Sequence, residues 1–187
     1  MKTKIIIALT IISLIGISSC EKDDPEYDPS SIVIVDYNIY EAATWDADSL
    51  YVVPDWIKVD ALLTIEPGTI IKFHPGSGLE VWEGGTINAL GSSTNGIVFT
   101  SIKDDIGGDT NEDESGTSPD AGDWDYIDLG NQNGSQFIYC TFSYGGTSSY
   151  FGTLNLGNNY SKIDYCTFKN NDAYLSGGVF LWRINCS

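Results

Sequence analysis

The sequence has 187 residues, with 26 Asp and Glu against nine Lys and Arg, and a formal net charge of −17 at pH 7. This length fits one domain, and the hydrophobic fraction of 42% is enough to build a folded core. The acidity argues against nucleic acid as a partner, because phosphate binding needs clusters of Lys and Arg. The single His and single Arg provide little for acid–base catalysis.

The first 20 residues, MKTKIIIALTIISLIGISSC, have the organisation of a lipoprotein signal peptide. Two lysines precede an apolar run, Ile5 to Ile17, that is too short for a transmembrane helix. Small residues then precede Cys20, and this arrangement resembles the lipobox of bacterial lipoproteins. The resemblance implies that residues 1–19 are removed and that Cys20 is acylated, which would anchor the protein to a membrane. The alternative is an ordinary signal peptide with an incidental cysteine.

Residues 20–31 are expected to combine the lipidated Cys20 with an acidic tether. The four residues after Cys20, EKDD, resemble the surface-export signal of lipoproteins in one lineage of Gram-negative bacteria. The resemblance implies an outer-membrane location facing the exterior. The alternative is a solvated acidic tether without an export role. Pro25, Pro29 and two serines indicate a flexible spacer.

Residues 32–50 precede the repeats described next and are expected to form an N-terminal cap. A solenoid needs a cover over its first core layer and over its exposed strand edges, and Trp45 is a candidate plug. The alternative, which is compatible with the first, is that Ile32 to Val35 forms a first strand.

Residues 51–187 show strand patterning, and short apolar groups recur between Gly, Pro, Asn and Asp. Tyr51 to Val53 is expected to be the first strand of this repeat domain. LTI at 63–65 is followed by LEV at 79–81 and IVF at 97–99, at nearly equal spacings. GTI at 68–70 likewise recurs at 85–87. This alignment predicts that Leu63 stacks on Leu79.

A second block repeats more clearly, and at a longer spacing. SQFIYCTF at 135–142 matches SKIDYCTF at 161–168, IDLGN at 127–131 matches LNLGN at 154–158, and a third copy begins at Val179. Short strands with Gly and Asn turns at such periods predict a solenoid, in which equivalent side chains of successive coils stack about 4.8 Å apart. Cys140 should then stack on Cys166, and Phe142 on Phe168. The alternative is a β-sandwich with similar hairpins.

The run LLTIEPGTIIKF at 62–73 resembles the opening coil of right-handed parallel β-helix proteins of the pectin-lyase type. GTINALG at 85–91, IVFTS at 97–101 and GDW at 122–124 share the resemblance, which covers about residues 44–187. It implies an all-β, right-handed parallel β-helix. It says little about activity, because this fold hosts lyases, hydrolases, adhesins and many surface proteins. The chain stops just inside the third copy of the second repeat, without a C-terminal cap, which suggests a truncated product or a fragment.

Residues 103–123, KDDIGGDTNEDESGTSPDAGD, interrupt the repeats and should form a long acidic loop. Asp109, Asn111 and Asp113 alternate as at the start of an EF-hand-type calcium loop, where alternate oxygens point at one cation. The match is imperfect, because Glu114 stands where such a loop needs Gly and Asp120 where it needs Glu. The sequence therefore predicts calcium ligands at Asp109, Asn111 and Asp113, with a solvated acidic loop as the alternative.

The cysteines of the repeats are expected to be buried thiols. Cys140 and Cys166 occupy equivalent positions, and side chains stacked in register seldom have the geometry of a disulfide. A disulfide or a metal pair is the alternative, although His74 does not lie at zinc spacing from them and is expected at an exposed turn. Cys186 follows Cys166 at a shorter spacing than the one that separates Cys140 from Cys166, so its alignment and the redox state of all three remain open. Arg183 resembles the basic residue of β-helix lyases only weakly, and no catalytic or cofactor-binding residue is predicted.

The chain is rich in aromatic residues, and those that face outward could stack on sugar rings. The candidates are Trp82, Trp124, Tyr126, Tyr144, Tyr150, Phe151, Tyr160 and Trp182. The favoured hypothesis is a non-catalytic surface lipoprotein that binds an extracellular glycan or protein. The alternatives are a carbohydrate-active lyase or hydrolase of β-helix type, and a structural spacer.

Overall fold

The computed structural model describes residues 32–147, 152–157 and 160–181. The signal peptide, the Cys20 anchor and the tether therefore lie outside the described residues, as do Arg183 and Cys186.

The described residues are all-β and wind into a right-handed parallel β-helix, as the sequence predicted. The strands are β1 (Ile32–Ile34), β2 (Ala43–Trp45), β3 (Leu50–Val53), β4 (Trp56–Val59), β5 (Leu62–Ile65), β6 (Ile70–Phe73), β7 (Gly78–Val81), β8 (Thr86–Leu90), β9 (Ile97–Ser101), β10 (Ile127–Asp128), β11 (Gln136–Ile138), β12 (Cys140–Ser143), β13 (Gly152–Leu156), β14 (Lys162–Asp164), β15 (Thr167–Lys169) and β16 (Ser176–Leu181). The expected strand from Tyr51 to Val53 is thus β3.

Three parallel sheets run along the helix, and the chain visits them in turn. Sheet A contains β1, β3, β6, β9, β12 and β15, sheet B contains β4, β7, β10, β13 and β16, and sheet C contains β2, β5, β8, β11 and β14. Each strand pairs with the equivalent strand of the next coil, so that alternate side chains point into the core and alternate ones point outward.

The core consists of ladders of like side chains, because equivalent residues of successive coils are one strand spacing apart. Phe142 stacks on Phe99 at 4.8 Å and on Phe168 at 4.7 Å, measured between ring centroids, with the rings within 4° of parallel. The register pairs Phe142 with Phe168, which confirms the prediction. Such offset stacks add to the free energy of burial.

The predicted stack of Leu63 on Leu79 is wrong. Leu63 pairs with Ala43 and Ile87 in sheet C, whereas Leu79 belongs to sheet B. The step from Leu63 to Leu79 connects two sheets and falls short of a full coil. A full coil leads from Leu63 to its register partner Ile87. The same error applies to the other closely spaced matches, because short apolar strands look alike in all three sheets.

The alignment of the second block is confirmed in the described strands, and it extends to a corner of the coil. Gln136 pairs with Lys162 in sheet C, and the third copy pairs Leu154 with Val179 in sheet B. Tyr139 and Tyr165 turn the corner from sheet C to sheet A in the left-handed region, with φ of 50° and 53°. This conformation costs a non-glycine residue about 1 kcal/mol or more, so its recurrence indicates that the two coils share one corner shape.

Residues 32–50 form a complete first coil. They contribute β1 to sheet A, an isolated bridge between Ile39 and Val59 beside sheet B, and β2 to sheet C. Trp45 is buried and stacks on Tyr51 with ring centroids 4.9 Å apart. The segment therefore both continues the solenoid and lies as a layer over the core of the next coil.

Candidate functional site on the outer face of sheet B

The acidic loop, residues 103–123, covers the part of the outer face of sheet A formed by β3 and β6. Leu50 and Val52 point outward from β3 and form a second apolar cluster with Ile102, packed against Ile70. Gly107 fits against this cluster so closely that a Cβ atom there would lie 2.7 Å from Cδ1 of Ile70. The loop is therefore docked on the sheet by apolar contact.

Lys72 provides a buried cation beneath the acidic loop. Its side chain is fully buried on the outer side of β6, and its ammonium group donates to the carbonyl of Gly108 at 2.5 Å. Burial lowers the pKa of Lys72 to about 8, although the nearby carboxylates of Asp104, Asp105 and Asp109 oppose this decrease. Lys72 thus offsets part of the negative charge of the loop from inside.

The three predicted calcium ligands lie near one another in the loop, but some of their side-chain oxygens accept hydrogen bonds within the loop and others do not. Asp113 accepts hydrogen bonds from the backbone of Gly116 and Thr117 and from Nδ2 of Asn111, and the hydroxyl of Thr117 also donates to it. These bonds, that of the hydroxyl first, lower the pKa of Asp113. Its carboxylate is therefore already satisfied by the loop.

The remaining two predicted ligands retain unsatisfied oxygens. Oδ2 of Asp109 accepts the backbone N–H of Glu114, whereas Oδ1 of Asp109 and Oδ1 of Asn111 are buried without a hydrogen-bond partner. The described ranges contain no group of three or more His, Cys, Asp or Glu residues arranged to hold a metal ion. Asp109 and Asn111 therefore each have one oxygen available for a cation, whereas the Asp113 carboxylate is already hydrogen-bonded. The calcium site stays a prediction.

A salt bridge closes the acidic loop where it rejoins the coil. Lys103 Nζ lies 2.7 Å from Oδ1 of Asp123, and Oδ2 of Asp123 accepts bonds from Ser101 and from the N–H of Asp120. Burial raises the pKa of Asp123, but these hydrogen bonds and the charge of Lys103 outweigh it, so the pKa is lowered overall.

The outer face of sheet B carries a polar row and an aromatic row. Side chains in register across β4, β7, β10 and β13 place Lys58, Glu80, Asp128 and Asn155 one after another along the helix. Their neighbours on the strands are the inward core residues, for example Leu79. Because strands of successive coils lie about 4.8 Å apart, these four side chains form a continuous row on one surface.

The aromatic row contains Trp56, which packs edge-on against Tyr126 with ring centroids 4.8 Å apart. Gly78 lies between them, and a Cβ atom there would approach the Trp56 ring to 2.8 Å and the Tyr126 carbonyl oxygen to 2.3 Å. A glycine is therefore needed for the two rings to meet. Trp56, Glu80, Asp125 and Tyr126 line an open cleft of about 250 Å³.

Trp82 follows β7 and extends the aromatic surface. Its side chain is 41% exposed, and Nζ of Lys58 lies 4.0 Å from its ring centroid. This cation–π contact directs the lysine toward the indole.

Two carboxyl groups of this face, those of Asp125 and Asp128, are held in surroundings that disfavour their charge. Burial raises the pKa of Asp125, opposed by a hydrogen bond with the Trp56 side chain. Burial also raises the pKa of Asp128; the Gly130 N–H opposes the increase, and the charge of Glu80 adds to it. Perturbed carboxyl groups in a cleft are a common mark of functional sites.

Sequence reasoning recovered part of this surface. Trp82 and Tyr126 were among the aromatic candidates, but Trp124 is fully buried and stacks on Phe73, so it does not face outward. Trp56 and the carboxylates of Glu80, Asp125 and Asp128 were missed. The sequence feature that could have identified them is the alternation of polar and apolar residues in β4 and β7. This alternation places Lys58 beside Glu80 only when the strands are aligned with the correct coil length.

Cys140 and Cys166 are free thiols on neighbouring coils, which agrees with the predicted ladder. The thiol of Cys140 bonds to the carbonyl of Ala89 at 3.5 Å, and that of Cys166 to the carbonyl of Phe137 at 3.4 Å. The neighbouring Cys166 thiol and burial raise the pKa of Cys140, whereas the Cys140 thiol lowers that of Cys166.

Within the described ranges, no helix has the length and apolar character needed to span a membrane. Comparisons of the chain with protein-family models, with curated proteins and with solved structures gave no match.

Proposed function

We propose that the protein is a non-catalytic binding module that holds a glycan on the outer face of sheet B. The observation that carries this proposal is the open cleft in which Trp56 stands beside the carboxylates of Glu80 and Asp125, with exposed Trp82 nearby. Indole rings stack on the apolar faces of sugars, and carboxylates accept strong hydrogen bonds from sugar hydroxyls. Clefts that combine aromatic walls with a few polar groups are the usual form of small-ligand sites.

The other two faces of the solenoid offer less to a sugar. The acidic loop covers β3 and β6 of sheet A, as its apolar contacts with Leu50 and Ile70 show. In the described strands of sheet C, the outward positions carry no aromatic side chain. Sheet B is therefore the face on which we place the glycan.

The experiment is a glycan-array screen of the full chain, followed by titration of the best ligand against variants. Trp82→Ala and Trp56→Ala should each weaken binding about tenfold or more, the effect of losing one aromatic contact. Tyr160→Ala is the matched control, because this side chain is 87% exposed and outside sheet B. Equal affinity of wild type and both Trp variants, or an equal loss in the Tyr160 control, would refute the site.

We also propose that Cys20 is lipidated and that the module stands at the outer surface of an outer membrane. The support is the arrangement of two lysines, an apolar run and a cysteine, followed by EKDD. Cys20→Ala should leave the protein soluble or unprocessed. If the processed variant still fractionates with membranes, the anchor is elsewhere.

A second candidate function is carbohydrate cleavage on the same face, in keeping with the resemblance of residues 62–73 to pectin-lyase-type proteins. The specific observation is that Glu80 and Asp128 are register partners on neighbouring coils. Strands about 4.8 Å apart let two carboxyl groups reach the separation of about 5 Å that retaining glycoside hydrolysis requires. Burial raises the pKa of Asp128, so Asp128 would be the acid and Glu80 the nucleophile.

Release of reducing ends or of unsaturated sugars from the bound glycan would support this second candidate, provided that Glu80→Gln abolishes it. Binding without any release would refute it and leave the binding module.

A further inference from the structure

We propose that the glycan bound by sheet B is cationic, an oligosaccharide with free amino groups, and that Glu80 and Asp125, whose carboxylates line the cleft, accept hydrogen bonds from its ammonium groups. This inference rests on the proposed function, because it names the class of ligand for the same cleft.

The first support is that the polar groups of the face are acceptors. Glu80, Asp125 and Asp128 each present a carboxyl group, and the indole N–H of Trp56 is used by Asp125. The one lysine of the polar row, Lys58, lies over the ring of Trp82. A ligand that brings donors is therefore complementary to this surface, and a ligand that brings further acceptors is not.

The second support is independent of the carboxylates. Asn155 is the register partner of Asp128 in the next coil and is only 4% exposed. Its Nδ2 donates to the carbonyl of Gly152, whereas its Oδ1 is buried without a hydrogen-bond partner. Buried carbonyl oxygens are nearly always paired, so this one is a further acceptor of the polar row that lacks a donor.

The third support is the sign of the charge. Two carboxyl groups line the cleft and a third, Asp128, lies on the neighbouring coil; on a chain with a formal net charge of −17 they repel uronic acids and attract ammonium groups. An ammonium group carries three donors, so it can bind a carboxylate and a neighbouring carbonyl at the same time. The ring of Trp56, which lines the cleft, adds cation–π attraction for the same group.

The test is to titrate the full chain with four hexasaccharides: glucosamine, N-acetylglucosamine, glucose and galacturonic acid. Acetylation removes the charge of the amine and keeps the sugar, so this pair isolates the ammonium group. We expect the glucosamine hexamer to bind at least about tenfold more tightly than the acetylated one, the value of one charge-assisted contact, and the preference to shrink at high salt. The galacturonic acid hexamer should bind most weakly.

Variants then assign the preference to the face. Glu80→Gln and Asp125→Asn should each reduce the ratio of the two affinities about tenfold. Asp48→Asn is the matched control, because it removes one charge at an exposed position in the turn before β3 and should leave the ratio unchanged.

The outcomes separate the two proposals. Equal affinity for charged and acetylated hexamers, with loss of both in Trp82→Ala, would overturn the cationic ligand and keep the glycan module. A preference that survives in both carboxylate variants would overturn it too, because the attraction would then come from overall charge. No binding to any glycan would overturn the glycan module itself.

Discussion

The carboxylates of the acidic loop and those of the sheet B face belong to one chain but have opposite surroundings. In the loop, Asp113 and Asp123 accept several hydrogen bonds each, and Lys103 pairs with the second. Their pKa values are lowered, so the charged form is stabilised. On sheet B, burial raises the pKa values of Asp125 and Asp128, so the charged form is disfavoured.

The contrast indicates that sequence acidity alone does not locate a binding site. The loop has the higher density of Asp and Glu, yet it uses them to hold its own backbone against sheet A. The cleft beside Trp56 has fewer carboxylates, and these lack internal cations other than Lys58, which lies on Trp82. A site for an external cationic ligand is expected where charges are left uncompensated, which is the sheet B face.

The largest effect is expected where the two regions join, at Trp124. This residue follows the loop and precedes Asp125; its ring stacks on Phe73, with centroids 4.4 Å apart, and its indole N–H donates to the carbonyl of Ser143 at 2.8 Å. Trp124→Ala should lower the free energy of unfolding by about 3–5 kcal/mol through the cavity and the lost bond. Urea denaturation followed by circular dichroism measures it. Trp82→Ala should change stability far less because Trp82 is exposed, and equal losses in both variants would contradict the assignment.

A more direct test compares one carboxylate from each region. Asp123→Asn should lower the free energy of unfolding by about 1–3 kcal/mol, because it breaks the charged bonds with Lys103 and Ser101. Asp128→Asn should leave it unchanged or raise it, because the amide oxygen still accepts the Gly130 N–H and no buried charge remains. Denaturation at pH 7 measures both. If both variants lose the same stability, the contrast between the regions is wrong.

The contributions of Asp123 and Asp128 to the free energy of unfolding change with pH in opposite directions. The lowered pKa of Asp123 means that its stabilising effect is present above the unfolded pKa and is lost as the pH falls through the folded value. For Asp128 the folded pKa is raised, so its charge reduces stability only once the pH has risen above the unfolded value. As the pH falls from 7 through the folded pKa of Asp123, wild type should therefore lose its advantage over Asp123→Asn, whereas its disadvantage against Asp128→Asn should disappear once the pH is below the unfolded pKa of an Asp.

The sequence predicted the fold class well, because period-2 strands with Gly and Asn turns recur along the chain. The alignment of Phe142 with Phe168 was correct because the repeat there includes the corner residue Tyr139 as well as the strands. The alignment of Leu63 with Leu79 failed because it used strand patterns alone, and these do not distinguish the next sheet from the next coil.

The candidate site was harder to predict than the fold. Lys58, Glu80, Asp128 and Asn155 lie at uneven distances along the sequence, and only the parallel register brings them into one row. The acidic loop is conspicuous in the sequence because its charges are contiguous. Nothing in the sequence shows that Lys72, which belongs to the coil before the loop, is the cation beneath it.

Lys72 provides the next test of the loop. The folded protein releases the Lys72 proton near pH 8, whereas the unfolded chain keeps it to about 10.4. Between these values the unfolded state binds more protons, so the free energy of unfolding rises with pH, by about 1 kcal/mol between pH 8 and pH 9. The difference in stability between wild type and Lys72→Met should show this rise. Lys72→Gln is the control, because it keeps a donor for the Gly108 carbonyl but does not titrate. If the free energy of unfolding changes with pH equally in wild type and in Lys72→Gln, Lys72 is not the titrating group.

The smallest expected effect is that of calcium on the acidic loop. Lys72 already supplies a cation, and Asp113 is occupied by loop donors, so only the free oxygens of Asp109 and Asn111 remain for a metal. A site of about millimolar affinity would stabilise the fold by about 0.4 kcal/mol at about 1 mM calcium, a shift of about 1 °C in melting temperature. Melting in calcium and in chelator measures this shift, which should be absent in the double variant Asp109→Ala with Asp113→Ala.

The double variant Asp48→Ala with Asp55→Ala is the matched control for the calcium measurement, because it removes two exposed carboxylates outside the loop. It should keep the full calcium shift, even if its melting temperature differs from that of wild type. The comparison within each protein matters here, since Asp109→Ala and Asp113→Ala also remove hydrogen bonds that hold the loop. A shift of equal size in all three proteins would assign calcium to general screening of the −17 charge, and no shift in wild type would show that the loop carboxylates serve only the fold.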